Sequence, residues 1–250
     1  MPGVADSTVL VPAWPAPARV RCAFTLRAGG VSQGPYASFN LGAHTGDDPR
    51  AVAENRRRLG RLLSLPGEPH WLEQVHGTHW LDLDRPPLNL QADASFTRSQ
   101  HRVCAVLVAD CLPILLTNRE GSMVAAVHAG WRGLAGGVLE SSARALGATD
   151  ELMAWIGPGI GPAHFEVGAE VRTALLALDP ALEGAFEPNV RGRWQCDLPR
   201  VARQRLTAAG VRQVYGGEHC TFAEPGRFFS YRRDRHCGRM AALIWLADSS

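Results

Sequence analysis

Three short apolar runs in the middle of the chain constrain its fold most. Runs of this length, bounded by turn residues, are typical of strands that are covered on both faces. The pattern predicts strands at Val103–Cys111, Ile114–Thr117 and Met123–His128, with a turn at Asn118–Gly121. Cys111 and His128 therefore lie at the ends of neighbouring strands, where a rigid sheet can hold reactive side chains in place.

Helical and strand-like segments alternate along the rest of the chain. Helices are predicted from Pro49 to Pro66, behind an Asp48 cap, at Trp131–Leu146, at Val167–Leu178, and from Asp197 to Gly210. Further strands are predicted at Val20–Leu26, Trp71–Gly77, Thr78–Leu83, Leu152–Ile156, Val211–Tyr215, Phe228–Arg232 and Met240–Leu246. Because some strands are joined by hairpins, the order predicts an α/β fold with helices on both faces of a mixed sheet. We expect one domain over residues 1–250.

Composition restricts the class of protein. The 250 residues are 46% hydrophobic with a formal charge of +2, and the longest basic block is Arg56–Arg58. This balance gives no reason to expect a nucleic-acid partner. No run of about eighteen apolar residues occurs, and the N-terminal segment lacks the pattern of a secretory signal. We expect a cytoplasmic monomer without a membrane partner.

The spacing of the cysteines favours free thiols over disulfide bonds. The six cysteines form no CxxC pair, and a chain of this size folds without disulfides. A cysteine with a special role would therefore be a metal ligand or a nucleophile.

Three residues with such chemistry end strand-like segments: His76, Cys111 and His128. Two imidazoles and one thiolate suit zinc, and three protein ligands leave a fourth position for water or substrate. The same set is compatible with copper, although Met123 is poorly placed as an axial ligand. Cys111 with a histidine base could also be a hydrolase nucleophile, and all three residues could be ordinary core residues.

Glycine-rich turns surround these residues. The predicted helix at Trp131 would offer free N–H groups to an anion, and Arg132 adds a positive charge, which favours a phosphate site. None of the turns has the spacing of a Rossmann or P-loop nucleotide site.

Several long motifs, in order along the chain, resemble the YfiH family, which is also described as the laccase-domain or polyphenol oxidase family. The motifs run from about Val11 to Leu246 and include WLEQVHGTHW, ADA, CAVLVADCLPILL, VAAVHAGWRGL, WIGPGIGPAHFEVG and FFSYRRDRHCGRMAALIWL. The resemblance implies a three-layer α/β/α sandwich. It also implies a zinc ion held by His76, Cys111 and His128, which would be the catalytic centre.

The same resemblance implies the reaction. The family is associated with phosphorolysis of adenosine, inosine and methylthioadenosine, and with deamination of adenosine. The expected substrates are thus a purine nucleoside and phosphate. Other descriptions of the family imply a copper-dependent polyphenol oxidase or a peptidoglycan editing factor, the latter as a Cys-His hydrolase. These remain alternatives.

Similarity to the family further implies which residues lie near the substrate pocket: Asn40, Arg56, Arg132 and the segment from Ser230 to Arg233. The sequence departs from the family pattern in two turns. Gly159 stands where many members have Cys, Ser or Ala, and Cys237 stands where Thr is usual.

Overall fold

The structure is a computed structural model that describes residues 8–86, 89–147 and 149–247. None of the helices within these ranges combines the length and the hydrophobicity that a membrane span requires.

Fourteen strands and six α-helices are present in these ranges. The strands are β1 (Val9–Leu10), β2 (Val20–Thr25), β3 (Pro69–Trp71), β4 (Trp80–Asp82), β5 (Ala94–Thr97), β6 (Val103–Val108), β7 (Leu112–Asn118), β8 (Val124–Ala129), β9 (Leu152–Ile156), β10 (Glu166–Val167), β11 (Phe186–Pro188), β12 (Trp194–Cys196), β13 (Gln213–Gly216) and β14 (Met240–Leu246). The helices are α1 (Pro49–Leu63), α2 (Trp131–Gly136), α3 (Val138–Leu146), α4 (Ala169–Leu178), α5 (Leu198–Ala208) and α6 (Tyr231–Asp234).

The strands form two large mixed sheets and one small antiparallel sheet. The first large sheet has the order β1-β2-β14-β6-β3, with only β3 and β6 parallel. The second has the order β13-β9-β7-β8-β5-β4, with parallel pairs at its two edges. The small sheet has the order β10-β12-β11 and forms its own ladder of backbone hydrogen bonds.

The two large sheets pack face to face. Cys104 and Val106 of β6 share a buried cluster with Val124 and Ala126 of β8. The outer face of the first sheet is covered by α1 through Leu59. The outer face of the second sheet is covered by α2, α3, α4 and α5. The layers are therefore helix, sheet, sheet and helix.

The predicted α/β class with mixed β-structure is confirmed. Where the sequence predicted one sheet between two helical layers, the structure has two sheets in contact. Every residue of β6, β7, β8 and β14 is buried. An apolar run indicates that both faces of a strand are buried. It does not indicate whether a helix or another sheet covers each face.

Helix prediction was accurate where capping signals were strong. Asp48 accepts a hydrogen bond from the Arg50 N–H, and Asp197 accepts one from the Arg200 N–H, as helix N-caps do. The single helix predicted over Trp131–Leu146 is wrong, because Gly137 has a φ of 86° and separates α2 from α3. The strand predicted at Phe228–Arg232 is also wrong, since α6 begins at Tyr231.

Two glycine-to-alanine substitutions should change stability in opposite directions. Gly137→Ala should lower the free energy of unfolding by about 1 kcal/mol, because alanine disfavours the left-handed backbone. Gly60 lies inside α1 with open space at its Cβ position, so Gly60→Ala should raise that free energy by about 0.5–1 kcal/mol. Urea unfolding of both variants tests this, and a change of the same sign in both would contradict it.

Candidate active site

Cys111 lies in a tight connection between the two large sheets. Only three residues, Ala109, Asp110 and Cys111, join β6 of the first sheet to β7 of the second. Asp110 has a φ of 94°, which is costly for a residue with a side chain. Its carboxylate accepts hydrogen bonds from the Thr221 hydroxyl and the Arg232 N–H, both at 2.6 Å. These contacts fix the turn that presents Cys111.

His128 lies on β8, next to the start of β7. The antiparallel register pairs His128 with Pro113 and Ala129 with Leu112, so His128 and Cys111 share one end of the sheet. The imidazole is buried, and its Nδ1 lies 2.8 Å from Oδ1 of Asp93. The other ring nitrogen, Nε2, is therefore available to a ligand.

His76 lies in the loop between β3 and β4 and has a φ of 60°. The loop is held by the same Asp93. Its carboxylate accepts the backbone N–H groups of Val75 at 3.2 Å, His76 at 2.9 Å and Gly77 at 2.6 Å. His76 was expected at the end of a strand, but β3 ends at Trp71.

The structure brings these three predicted residues together. One nitrogen of each histidine and the Cys111 Sγ all lie within 4.8 Å of one another, and the two rings meet edge to face. Zinc bonds of 2.0–2.3 Å place tetrahedral donors about 3.5 Å apart, so small side-chain movements would close the set around one ion. A Cβ atom on Gly130 would lie 2.8 Å from the Cys111 Sγ, so only glycine leaves room there. The donor set thus fits the metal implied by the sequence.

Mutual interactions shift the pKa values of Cys111, His128 and Asp93. Burial alone would raise the pKa of the Cys111 thiol, but the charge of His128 and hydrogen bonds from both histidines outweigh it and lower that pKa to about 6. Burial opposes the charged form of His128, while Cys111 and Asp93 favour it and raise its pKa to about 9. Burial likewise opposes the Asp93 charge, but the hydrogen bonds from His128 and the loop lower its pKa. A thiolate at neutral pH is what a metal ligand or a nucleophile requires.

His76, Cys111 and His128 line a cavity of about 750 Å³. Arg132, Arg232 and Arg239 lie on its wall, and each guanidinium stacks on an aromatic ring. These rings, Trp131, Phe165 and Tyr231, lie 4.4, 5.2 and 5.8 Å from the respective guanidinium carbons and also line the cavity. The remaining wall residues are His44, Leu72, Glu73, Gln74, Leu107, Val108, Ala109, Asp110 and Ile160.

Four of the predicted substrate residues, Asn40, Arg56, Ser230 and Arg233, are not among the residues that line the cavity. Asn40 is fully buried and accepts the Arg239 N–H at 2.8 Å. Arg56 donates to the Leu41 carbonyl and stacks on Trp71. Ser230 caps α6 by accepting the Arg233 N–H at 3.3 Å. Arg233 donates to the carbonyls of Thr221, Phe222 and Phe228. Direct contact of these four with substrate stays a prediction, whereas Arg132 lies on the wall itself.

Sequence reasoning missed the role of Asp93 and the wall positions of His44 and Arg239, whereas Tyr231 and Arg232 belong to the segment that the resemblance placed near the pocket. Asp93 follows Ala92 in the ADA motif, and an acidic residue between apolar positions of predicted strands was the available signal. His44, Tyr231, Arg232 and Arg239 come from segments far apart in the chain. Nothing in local periodicity indicates that these segments meet.

The fold and the site define a mixed α/β protein with a His-Cys-His cluster where two sheets meet. A family model described as multi-copper polyphenol oxidoreductase laccase matches residues 21–247. The chain belongs to this family, as the motifs predicted.

Relatives are similar over nearly the whole chain. A Pseudomonas aeruginosa protein named purine nucleoside phosphorylase is 53% identical over 241 residues, covering 96% of this chain and 98% of that protein. The Escherichia coli K12 protein named purine nucleoside phosphorylase YfiH is 50% identical, covering 96% of this chain and 99% of that protein.

Solved structures share the architecture. A Neisseria meningitidis protein superposes with a TM-score of 0.91 at 46% identity, covering 96% of this chain and all of that one. A Bacillus licheniformis protein called YfiH superposes with a TM-score of 0.88 at 30% identity, covering 98% of each chain.

In chelator-treated protein, Cys111 should react with iodoacetamide with a midpoint near pH 6, because the thiolate is the reactive form. The buried Cys104 and Cys196 are internal controls, since burial raises the pKa of each to about 12. Site-resolved mass spectrometry across pH 5–9 gives the rates. Reaction of Cys111 that begins only above pH 8 would contradict the proposed effect of His128.

Proposed function

We propose that the protein is a zinc-dependent purine nucleoside phosphorylase with adenosine deaminase activity. The observation that carries this proposal is the presence of a metal-ligand cluster and three arginines in one cavity. The substrates would be adenosine, inosine or methylthioadenosine together with phosphate, and the products a free base and ribose 1-phosphate. The names of the relatives support the same reaction class.

The residues that would hold zinc are His76, Cys111 and His128. A zinc ion there would supply Lewis-acid chemistry at the floor of the cavity. Cys111 would bind as the thiolate that its lowered pKa favours. His128 would bind through Nε2, because its Nδ1 faces Asp93.

The arginines would bind phosphate. Among the described residues, Arg132, Arg232 and Arg239 have no carboxylate within salt-bridge distance, so their charge remains available to an anion. Stacking on aromatic rings holds each guanidinium without neutralising it. Positive groups fixed beside the ribose would hold phosphate for attack at C1′ and stabilise negative charge in the transition state.

The apolar wall would bind the nucleoside. Trp131, Phe165 and Tyr231 offer ring faces and edges, and Ile160 and Leu72 add buried apolar surface. Apolar and aromatic surface combined with convergent polar groups is typical of small-molecule sites. The cavity volume of about 750 Å³ is sufficient for a nucleoside with phosphate.

Two other functions remain candidates. A Cys-His hydrolase is favoured by the low pKa of Cys111 beside His128, because that pair would be a nucleophile in the absence of metal. A copper-dependent polyphenol oxidase is favoured by the description of the family. It is weakened because residues 8–86, 89–147 and 149–247 contain a single cluster of three potential ligands and the sequence has no HxH pair.

Purified protein should contain about one zinc ion per chain, and Cys111→Ala should reduce that content to near zero because the thiolate is lost. Cys22→Ala, a change on β2 away from the cavity wall, is the matched control and should retain the metal. Elemental analysis measures all three proteins. Full zinc occupancy in Cys111→Ala would show that the proposed site is wrong.

Product analysis with adenosine tests the reaction. With phosphate we expect adenine and ribose 1-phosphate, and without phosphate we expect slow formation of inosine. Chelation should abolish both reactions and added zinc should restore them. Full turnover by metal-free protein, lost on alkylation of Cys111, would instead indicate that Cys111 is a nucleophile and not a metal ligand.

Arg132→Met should raise the KM for phosphate about 10-fold or more, because a charged hydrogen bond contributes about 1.5–3 kcal/mol. Phosphate-independent deamination should change little. Arg98→Met is the matched control, since Arg98 also stacks on an aromatic ring, Phe96, but does not line the cavity. Equal effects of the two substitutions on the phosphate KM would contradict the assignment of Arg132.

A further inference from the structure

We propose that Asp93 is the positioning residue that sets the geometry of both histidine ligands at once. This inference rests on the proposed metal site. Its side chain is fully buried and lies behind the cluster, so it acts through His76 and His128 and does not touch substrate.

The first half of the argument concerns the His128 ring. Asp93 Oδ1 lies 2.8 Å from Nδ1, and a carboxylate at that distance accepts a proton from this nitrogen. In the neutral ring that a metal ion would require, the proton stays on Nδ1 and the Nε2 lone pair faces Cys111. The His128 backbone N–H also donates to the Asp93 carbonyl at 2.6 Å, so ring and backbone are both fixed to the same residue. A carboxylate in this position orients a ligating histidine and raises its basicity.

The second half concerns the loop that carries His76. The left-handed backbone at His76 is unfavourable for a residue with a side chain unless other contacts compensate. In this conformation three successive N–H groups, those of Val75, His76 and Gly77, point toward one carboxylate. Successive N–H groups arranged around a concavity bind an anion, and here the anion is the Asp93 side chain.

The contacts to the His128 ring and to the His76 loop both depend on the charge of the buried Asp93 carboxylate. Oδ1 accepts from His128 and His76, while Oδ2 accepts from Val75 and Gly77. An asparagine side chain has one oxygen and one NH₂ group. In either orientation of that amide, its NH₂ faces donors. Asp93→Asn therefore either releases the loop or reverses the tautomer of His128.

The experiment compares zinc affinity in three proteins. Competition with a chromophoric zinc chelator gives the dissociation constant for wild type, Asp93→Asn and Asp84→Asn. Asp84 is the matched control, because its carboxylate also accepts a backbone N–H, from Arg98 at 2.8 Å, and a hydroxyl, from Thr97 at 2.5 Å. It does not line the cavity. We expect Asp93→Asn to weaken zinc binding 10–100-fold and Asp84→Asn to change it less than twofold.

A spectroscopic measurement distinguishes ligand positioning from general destabilisation. Cobalt(II) substituted into wild type and Asp84→Asn should give the same tetrahedral absorption bands with a thiolate charge-transfer band, whereas Asp93→Asn should lose intensity in both. Zinc affinity of Asp93→Asn within twofold of wild type would overturn the inference, as would equal weakening in both variants. A wild-type protein that binds no zinc would instead overturn the proposed function.

If Asp93→Asn does not fold, a measurement on the wild-type protein tests the role of Asp93. Hydrogen exchange in metal-free protein should show slow exchange at the amides of Val75, His76 and Gly77, although Val75 and His76 are exposed. Exchange as slow as that of buried strand amides supports the role of Asp93. Exchange at the rate of an unstructured loop overturns it.

Discussion

The candidate site depends on one buried carboxylate. Asp93 precedes β5 and receives hydrogen bonds from the ring of His128 and from three amides of the loop that carries His76. Burial of a carboxylate is costly unless donors surround it, so these four contacts form as a set. The loop leaves the first large sheet, whereas β8 belongs to the second. Asp93 thereby connects two histidines that no strand pairing joins.

Asp110 has an analogous role on the other side of Cys111. Its backbone turns the chain from β6 into β7, and its carboxylate receives the Thr221 hydroxyl and the Arg232 N–H. The site therefore lies where the sheets part, with His76, Cys111 and His128 on the floor of the cavity and the C-terminal segment on its wall. Arg232 and Arg239 reach the cavity because Asp110 and Asn40 hold their backbones.

The sequence was sufficient for features that depend on local patterns. The apolar runs located β7 and β8, and the caps at Asp48 and Asp197 located α1 and α5, because burial and capping act within a few residues. The second sheet could not be predicted, because a fully buried strand such as β6 or β14 has the same apolar sequence whether a helix or another sheet covers it. The break at Gly137 also depends on tertiary structure, because a glycine can continue or end a helix. The residue chemistry singled out His76, Cys111 and His128, the family resemblance implied that they hold a metal, and the structure places them together. The positions of Asn40 and Ser230 depend on contacts distant in sequence.

The proposed zinc site takes its three ligands from separate segments of the chain. X-ray diffraction from crystals of the purified protein, measured on both sides of the zinc absorption edge, tests it most directly. We expect one anomalous peak per chain, about 2.0–2.3 Å from His76, from Cys111 Sγ and from His128 Nε2. A zinc peak at any other place, or a fully formed cluster without one in protein shown to contain zinc, would contradict the account.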